Sequence, residues 1–109
     1  MAGAGRTDAG AHALGQVAAF DLPRDFHPDE LRHALNGLLP PDVRVLDAAP
    51  ALPGFHPRRS AVSKLYRYEL DCGGVLLPQR RRFAGFLPWP LDEAAVRQAA
   101  ALYLGRRDF

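Results

Sequence analysis

The sequence predicts an α+β fold that is incomplete at both ends. Three observations lead there. A short apolar run, an amphipathic helix pattern and a second short apolar run follow one another between residues 15 and 48. A ten-residue segment, 61–70, then alternates with period two, as a strand does. A capped helix pattern follows after residue 91, and the chain stops at Phe109 with no element to close it. The resulting order, βαβ–β–α, is that of a piece of an α+β protein.

Each element has a local cause. Residues 15–22, GQVAAFDL, are mostly apolar and run into Pro23, which predicts a short strand. HPDELRHALNGLLPP predicts a helix. Pro28 suits the first helical position, and Asp29 and Glu30 suit the positive end of the helix dipole. Leu31, Ala34, Leu35 and Leu38 recur at helical spacing and predict one buried stripe, which Pro40-Pro41 ends. DVRVLDA, 42–48, reads as another short strand, and PALPGFHP as a loop. In AVSKLYRYEL, 61–70, Val62, Lys64, Tyr66, Tyr68 and Leu70 share one face of a strand. DCGG is a turn. Pro78, Pro88 and Pro90 interrupt any long element in 75–90. The last helix is expected from Asp92 as N-cap, with Val96, Ala99, Ala100 and Tyr103 as its stripe and Gly105 just past its end.

The 109 residues make one small domain with a thin core. A hydrophobic share of 48% argues against disorder. The formal net charge is only +2, but seven cations face two acids between Arg58 and Arg82, a local excess of five. Thirteen of the fourteen cations are Arg, whose planar fork suits phosphate and stacks on bases. Codon composition accounts for such a bias equally well. The single cysteine, Cys72, excludes an internal disulfide and a cysteine-only metal site. No run approaches a membrane span and no leader precedes the first element, so a cytoplasmic protein with no membrane partner is expected.

The opening stretch, AGAGRTDAGAHALGQVAAF, holds one carboxylate, Asp8, among four glycines. It is no dinucleotide fingerprint, because Asp8 stands where the third Gly belongs and would repel a pyrophosphate. It is no Walker A loop, because Ala11-His12 replaces the Lys and hydroxyl. Asp8 and His12 alone do not make a metal site, and His27, His33 and His56 show no ligand spacing. Ser60 and Ser63 lack a nucleophile elbow. No second carboxylate is placed for glycoside hydrolysis. Two readings remain for Asp8. It caps a turn, or it is a reactive carboxylate, with Arg6 as counter-charge and the glycines admitting a bulky substrate.

Four blocks carry a resemblance to a known family. GRTDAGAHALGQVAAF resembles the signature G-R-T-D-A-G-V-H-x-x-G-Q-V-x-x-F of the TruA family of tRNA pseudouridine synthases. HALNGLLPPDVRV, FHPRRSAVSKLYRYEL and ALYLGRRDF resemble three further family blocks, in the same order. Ala11 for the usual Val and Pro57 for the usual Ala are the departures.

The resemblance implies a mixed or antiparallel sheet with helices on one face, in an enzyme isomerising uridine to pseudouridine in the tRNA anticodon stem-loop. The bond from uracil N1 to ribose C1′ breaks, the base turns, and C5 rejoins C1′. No cofactor and no metal are implied. Asp8 takes the catalytic position, as nucleophile or as base. Arg6 orients Asp8, and Tyr66 stacks on uracil. Thr7, His12, Arg58 and Lys64 are expected to bind substrate, and Arg59 and the Arg80–Arg82 run are further candidates for the RNA backbone. The partners implied are tRNA and a second copy in a homodimer.

By the same resemblance the chain is a central fragment. Residues 1–90 are then the later part of a catalytic half with the Gly-rich Asp loop, and 91–109 begin a second half. Such a fragment is expected to be inactive by itself. The competing readings are a non-catalytic RNA-binding fragment or truncated paralogue, and a structural piece without activity.

Overall fold

A computed structural model describes residues 1–108 and contains two helices and two small sheets, an α+β content as expected. The chain divides into two compact units, Met1–Lys64 and Leu65–Phe109.

In the first unit, β1 (Ala2–Gly3) pairs antiparallel with β2 (Ala18–Ala19). One further rung, Ala4 N–H to the Val17 carbonyl at 2.9 Å, extends the ladder toward the Gly-rich segment. The strand expected over 15–22 is thus reduced to its middle. Helix α1 spans Pro28–Leu38, with Pro28 in its first turn and Asp29 and Glu30 beside it as expected. Arg32 pairs with Asp29 at 3.2 Å. The predicted stripe is not buried: Leu31 and Leu35 are half-buried, while Leu38 is 85% exposed. The spacing is right, but no layer lies over that face.

The strand expected over 42–48 does not form. Its backbone finds a side chain instead. The Asn36 amide donates to the Val45 carbonyl at 2.9 Å and accepts from the Val45 N–H at 2.8 Å, standing in for a neighbouring strand. Arg44 folds back and donates to the Pro40 carbonyl at 2.7 Å, meeting an acceptor just past the helix end. Asn36→Ala is therefore expected to leave two half-buried backbone groups unpaired. The loss should be about 1–3 kcal/mol, read by urea unfolding of the full-length protein.

In the second unit, β3 (Leu70–Cys72) pairs with β4 (Gly85–Leu87), and the pairing is parallel. Gly85 permits it: a Cβ there would come within 3.0 Å of Leu70 Cδ2. The connection from β3 to β4 consists of turns around Arg80. The Arg80 Nε donates to both Asp71 carboxylate oxygens, at 2.8 and 3.0 Å, and Glu69 lies at 3.6 Å. The Asp71 hydrogen bond and charge, with Glu69 adding to them, raise the Arg80 pKa against a small burial effect. Helix α2 (Glu93–Ala101) starts as the sequence predicts, with the Asp92 carboxylate accepting the Ala95 N–H at 3.0 Å. Its stripe is not buried either: Val96 is exposed, and Tyr103 lies past the helix end. Gly105 takes a positive φ of 85° beyond that end.

The largest difference concerns 61–70. Only Leu70 belongs to a strand; the Glu69 carbonyl takes the Gly85 N–H at 2.9 Å where the ladder begins, and 61–68 lie outside it. Val62, Leu65 and Tyr68 are almost fully exposed. Alternation orders side chains on two faces, but a strand exists only where a neighbour takes its N–H and C=O groups. Among the described residues only Pro57 is buried, and no aliphatic or aromatic side chain is.

Candidate functional site: the Gly-rich hairpin loop

The Gly-rich segment is the loop of the β1–β2 hairpin, so the ladder anchors both of its ends. Inside it, Asp8-Ala9-Gly10-Ala11 forms a turn closed by the Ala11 N–H on the Asp8 carbonyl at 2.9 Å. Gly10 stands third with φ 80°, the pattern of a type II turn and a conformation that L side chains avoid. The turn is closed by the Asp8 main chain. Its carboxylate is therefore not the group that makes this turn bond.

Arg6, Thr7, Asp8 and His12 are all exposed on this loop. Arg6 takes part in none of the ion pairs between described residues. The base of the loop is fixed more firmly than its tip. The Gln16 Nε2 donates to the Gly5 carbonyl at 2.8 Å, and the Gln16 Oε1 accepts the Val17 N–H at 3.2 Å. From 60 residues away, the Lys64 ammonium donates to the Ala4 carbonyl at 3.1 Å. Lys64, a substrate-binding candidate by sequence, is thus joined to the Asp8 loop.

Arg58 lies on a separate short turn of the same unit. The His56 Nδ1 accepts the N–H groups of Arg58 and Arg59 at 3.2 and 3.3 Å, so its ring proton sits on Nε2. The Ser60 hydroxyl accepts the His56 N–H at 3.0 Å, and Ser60 N–H donates back to the His56 carbonyl at 2.8 Å. Pro57 is buried at the centre of this turn, and the Arg58 and Arg59 side chains project outward, exposed. An open cleft of about 440 Å³ adjoins it, lined by Phe20, Leu52, Phe55 and His56 among others; Asp8 is not part of its wall.

Tyr66 belongs to the second unit and is 75% exposed, a ring face available for stacking. Arg80, one of the RNA-backbone candidates, is committed to Asp71 and Glu69.

Two residues escaped the sequence reading. Gln16, inside the Gly-rich block, has no role by residue type alone; its signal is the reach of a side chain across the loop neck to Gly5. His56 read as an ordinary loop residue; the signal is an acceptor side chain two and three positions before the amides it caps.

No family model matches the chain. Among curated proteins, it is 50% identical over its whole length to a tRNA pseudouridine synthase A from Myxococcus xanthus, covering 41% of that protein. It is 44% identical over its whole length to one from Solibacter usitatus, covering 45%. Over 96% of the chain it is 47% identical to one from Geobacter sulfurreducens, covering 43%. The resemblance carried by the four blocks therefore extends through the entire chain, which spans less than half the length of these relatives.

Proposed function

We propose, from the premise that this chain corresponds to a segment of tRNA pseudouridine synthase A, that the protein carrying it isomerises uridine to pseudouridine in the anticodon stem-loop of tRNA. The observation that carries this reading is Asp8 on an exposed turn that its own main chain closes, inside a hairpin loop, in a chain similar throughout to synthases of that name.

Asp8 acts as nucleophile on the nucleotide or as base toward a ribose proton. Arg6, two residues before it and outside the ion pairs between described residues, turns its guanidinium to Asp8 and the flipped nucleotide when tRNA is bound. Flipping is required because a carboxylate cannot reach the reacting atoms of a nucleotide that stays stacked in the stem-loop. Tyr66 supplies the stacking face, worth about 1–3 kcal/mol per base. Thr7 and His12 on the loop, and Arg58 on its capped turn, bind the substrate. Lys64, whose ammonium donates to the Ala4 carbonyl, belongs in this reading to the loop and not to the phosphate contacts.

Residues 1–90 form the later part of the catalytic half and 91–109 the start of the next. The protein is cytoplasmic and works as a homodimer without a cofactor or resident metal. Among the described residues no helix is long and apolar enough to cross a membrane.

The test is direct. The full-length protein is incubated with unmodified tRNA transcript in EDTA, and nucleosides are separated chromatographically. Pseudouridine should appear at the expense of uridine, with tRNA affinity falling as salt rises. Salt-dependent binding with every uridine unchanged would return the non-catalytic RNA-binding reading.

A further inference from the structure

The neck of the hairpin loop is held by two side chains whose purpose the proposed reaction leaves open. Ala4 and Gly5 immediately precede Arg6-Thr7-Asp8. The carbonyl of Ala4 belongs to the peptide plane before Gly5, and the carbonyl of Gly5 to the plane after it. Lys64 holds the first at 3.1 Å and Gln16 the second at 2.8 Å. Peptide groups are planar and rigid, so fixing both planes fixes the two torsions of Gly5. Gly5 is the residue with the widest torsional freedom at the entry to the Asp8 turn. Gln16 also takes the Val17 N–H, so one amide ties both sides of the neck. The Lys64 bond is charge-assisted, and a Cβ on Gly5 would still lie 3.8 Å from its Nζ, an ordinary contact.

We propose that Lys64 and Gln16 are positioning residues, a two-carbonyl clamp that sets the direction in which the chain enters Arg6-Thr7-Asp8 and so aims the Asp8 carboxylate. This rests on Asp8 being the reactive group. The glycines make the loop open enough for a substrate, and the clamp removes the freedom they would otherwise bring.

The experiment uses the full-length protein with Lys64→Met, Lys64→Arg and Gln16→Glu. The last keeps the acceptor for Val17 but sets a carboxylate oxygen against the Gly5 carbonyl. Two readouts are taken: kcat and KM on tRNA, and hydrogen exchange of the amides of residues 5–16, which needs no activity. Lys64→Met and Gln16→Glu should lower kcat about 10- to 100-fold, the cost of a misplaced reacting group. KM should stay unchanged, and loop exchange should accelerate. Lys64→Arg, which keeps a cationic donor, should restore both. Raised KM with unchanged kcat and a shallower salt dependence would show Lys64 to be a phosphate contact and overturn the clamp. Unchanged exchange would overturn it too. A wild-type protein that forms no pseudouridine would instead sink the proposed reaction, while the exchange data would still decide whether the clamp exists.

Discussion

Asp8→Asn in the full-length protein is expected to abolish pseudouridine formation while tRNA binding persists. The substitution preserves shape and removes charge, and with it both the nucleophile and the proton acceptor. A positioned acid or base contributes about 10²–10⁴-fold, so initial rates should fall by at least that range. The fold should not respond. The turn at residue 8 is closed by the main-chain carbonyl, which Asn keeps, and the residue is exposed. Affinity should stay close to wild type, because backbone contacts to phosphates supply most of it. Initial rates and filter binding on the same preparations separate the two effects. Activity within a few-fold of wild type would remove Asp8 as the reacting group, on the scale just given.

The second large effect concerns the 109 residues alone. They are expected to show no cooperative thermal unfolding and a featureless near-ultraviolet dichroism, and to bind a hydrophobic dye. Ordering the backbone costs about 1–2 kcal/mol per residue. Burial offsets this at about 25 cal/mol per Å² of apolar surface. No aliphatic or aromatic side chain is buried among the described residues, and Val62, Leu65, Tyr66 and Tyr68 stand in solvent, so the offset is largely missing. The relatives are more than twice as long, and the additional chain is the expected source of the covering layer. In the full-length protein Trp89 and the tyrosines should then be partly shielded and the transition sharp. A single sharp calorimetric transition from the isolated 109 residues would refute this.

The sequence names candidate residues on the Gly-rich loop, and the structure decides which of them lie together. Eliminating the phosphate and metal motifs left Asp8 as a turn cap or a reactive carboxylate, and only the resemblance of its block implies the second. The hairpin loop, however, came into view only when Ala2–Gly3 paired with Ala18–Ala19, and two-residue strands have no periodicity to read. Lys64 was placed among substrate-binding residues from its neighbours in sequence. That its ammonium reaches Ala4 is a fact about residues 60 apart. Arg80 read as one of three exposed cations, yet Asp71 and Glu69 clasp it across the β3–β4 connection.

What the sequence by itself determined were the features whose causes lie within a few residues. Pro28 with Asp29 and Glu30 starts α1, Asp92 caps α2, and Gly10 takes the positive φ that its turn needs. Capping bonds and torsional preferences act over three or four positions, so a local reading finds them. What only the tertiary structure decided were the partners. Asn36 replaced a strand for Val45, and β3 found β4 in parallel. Most of the best alternating segment, 61–68, was left without a ladder. Backbone groups take whichever donor or acceptor the rest of the chain brings to them, and alternation does not say which that will be.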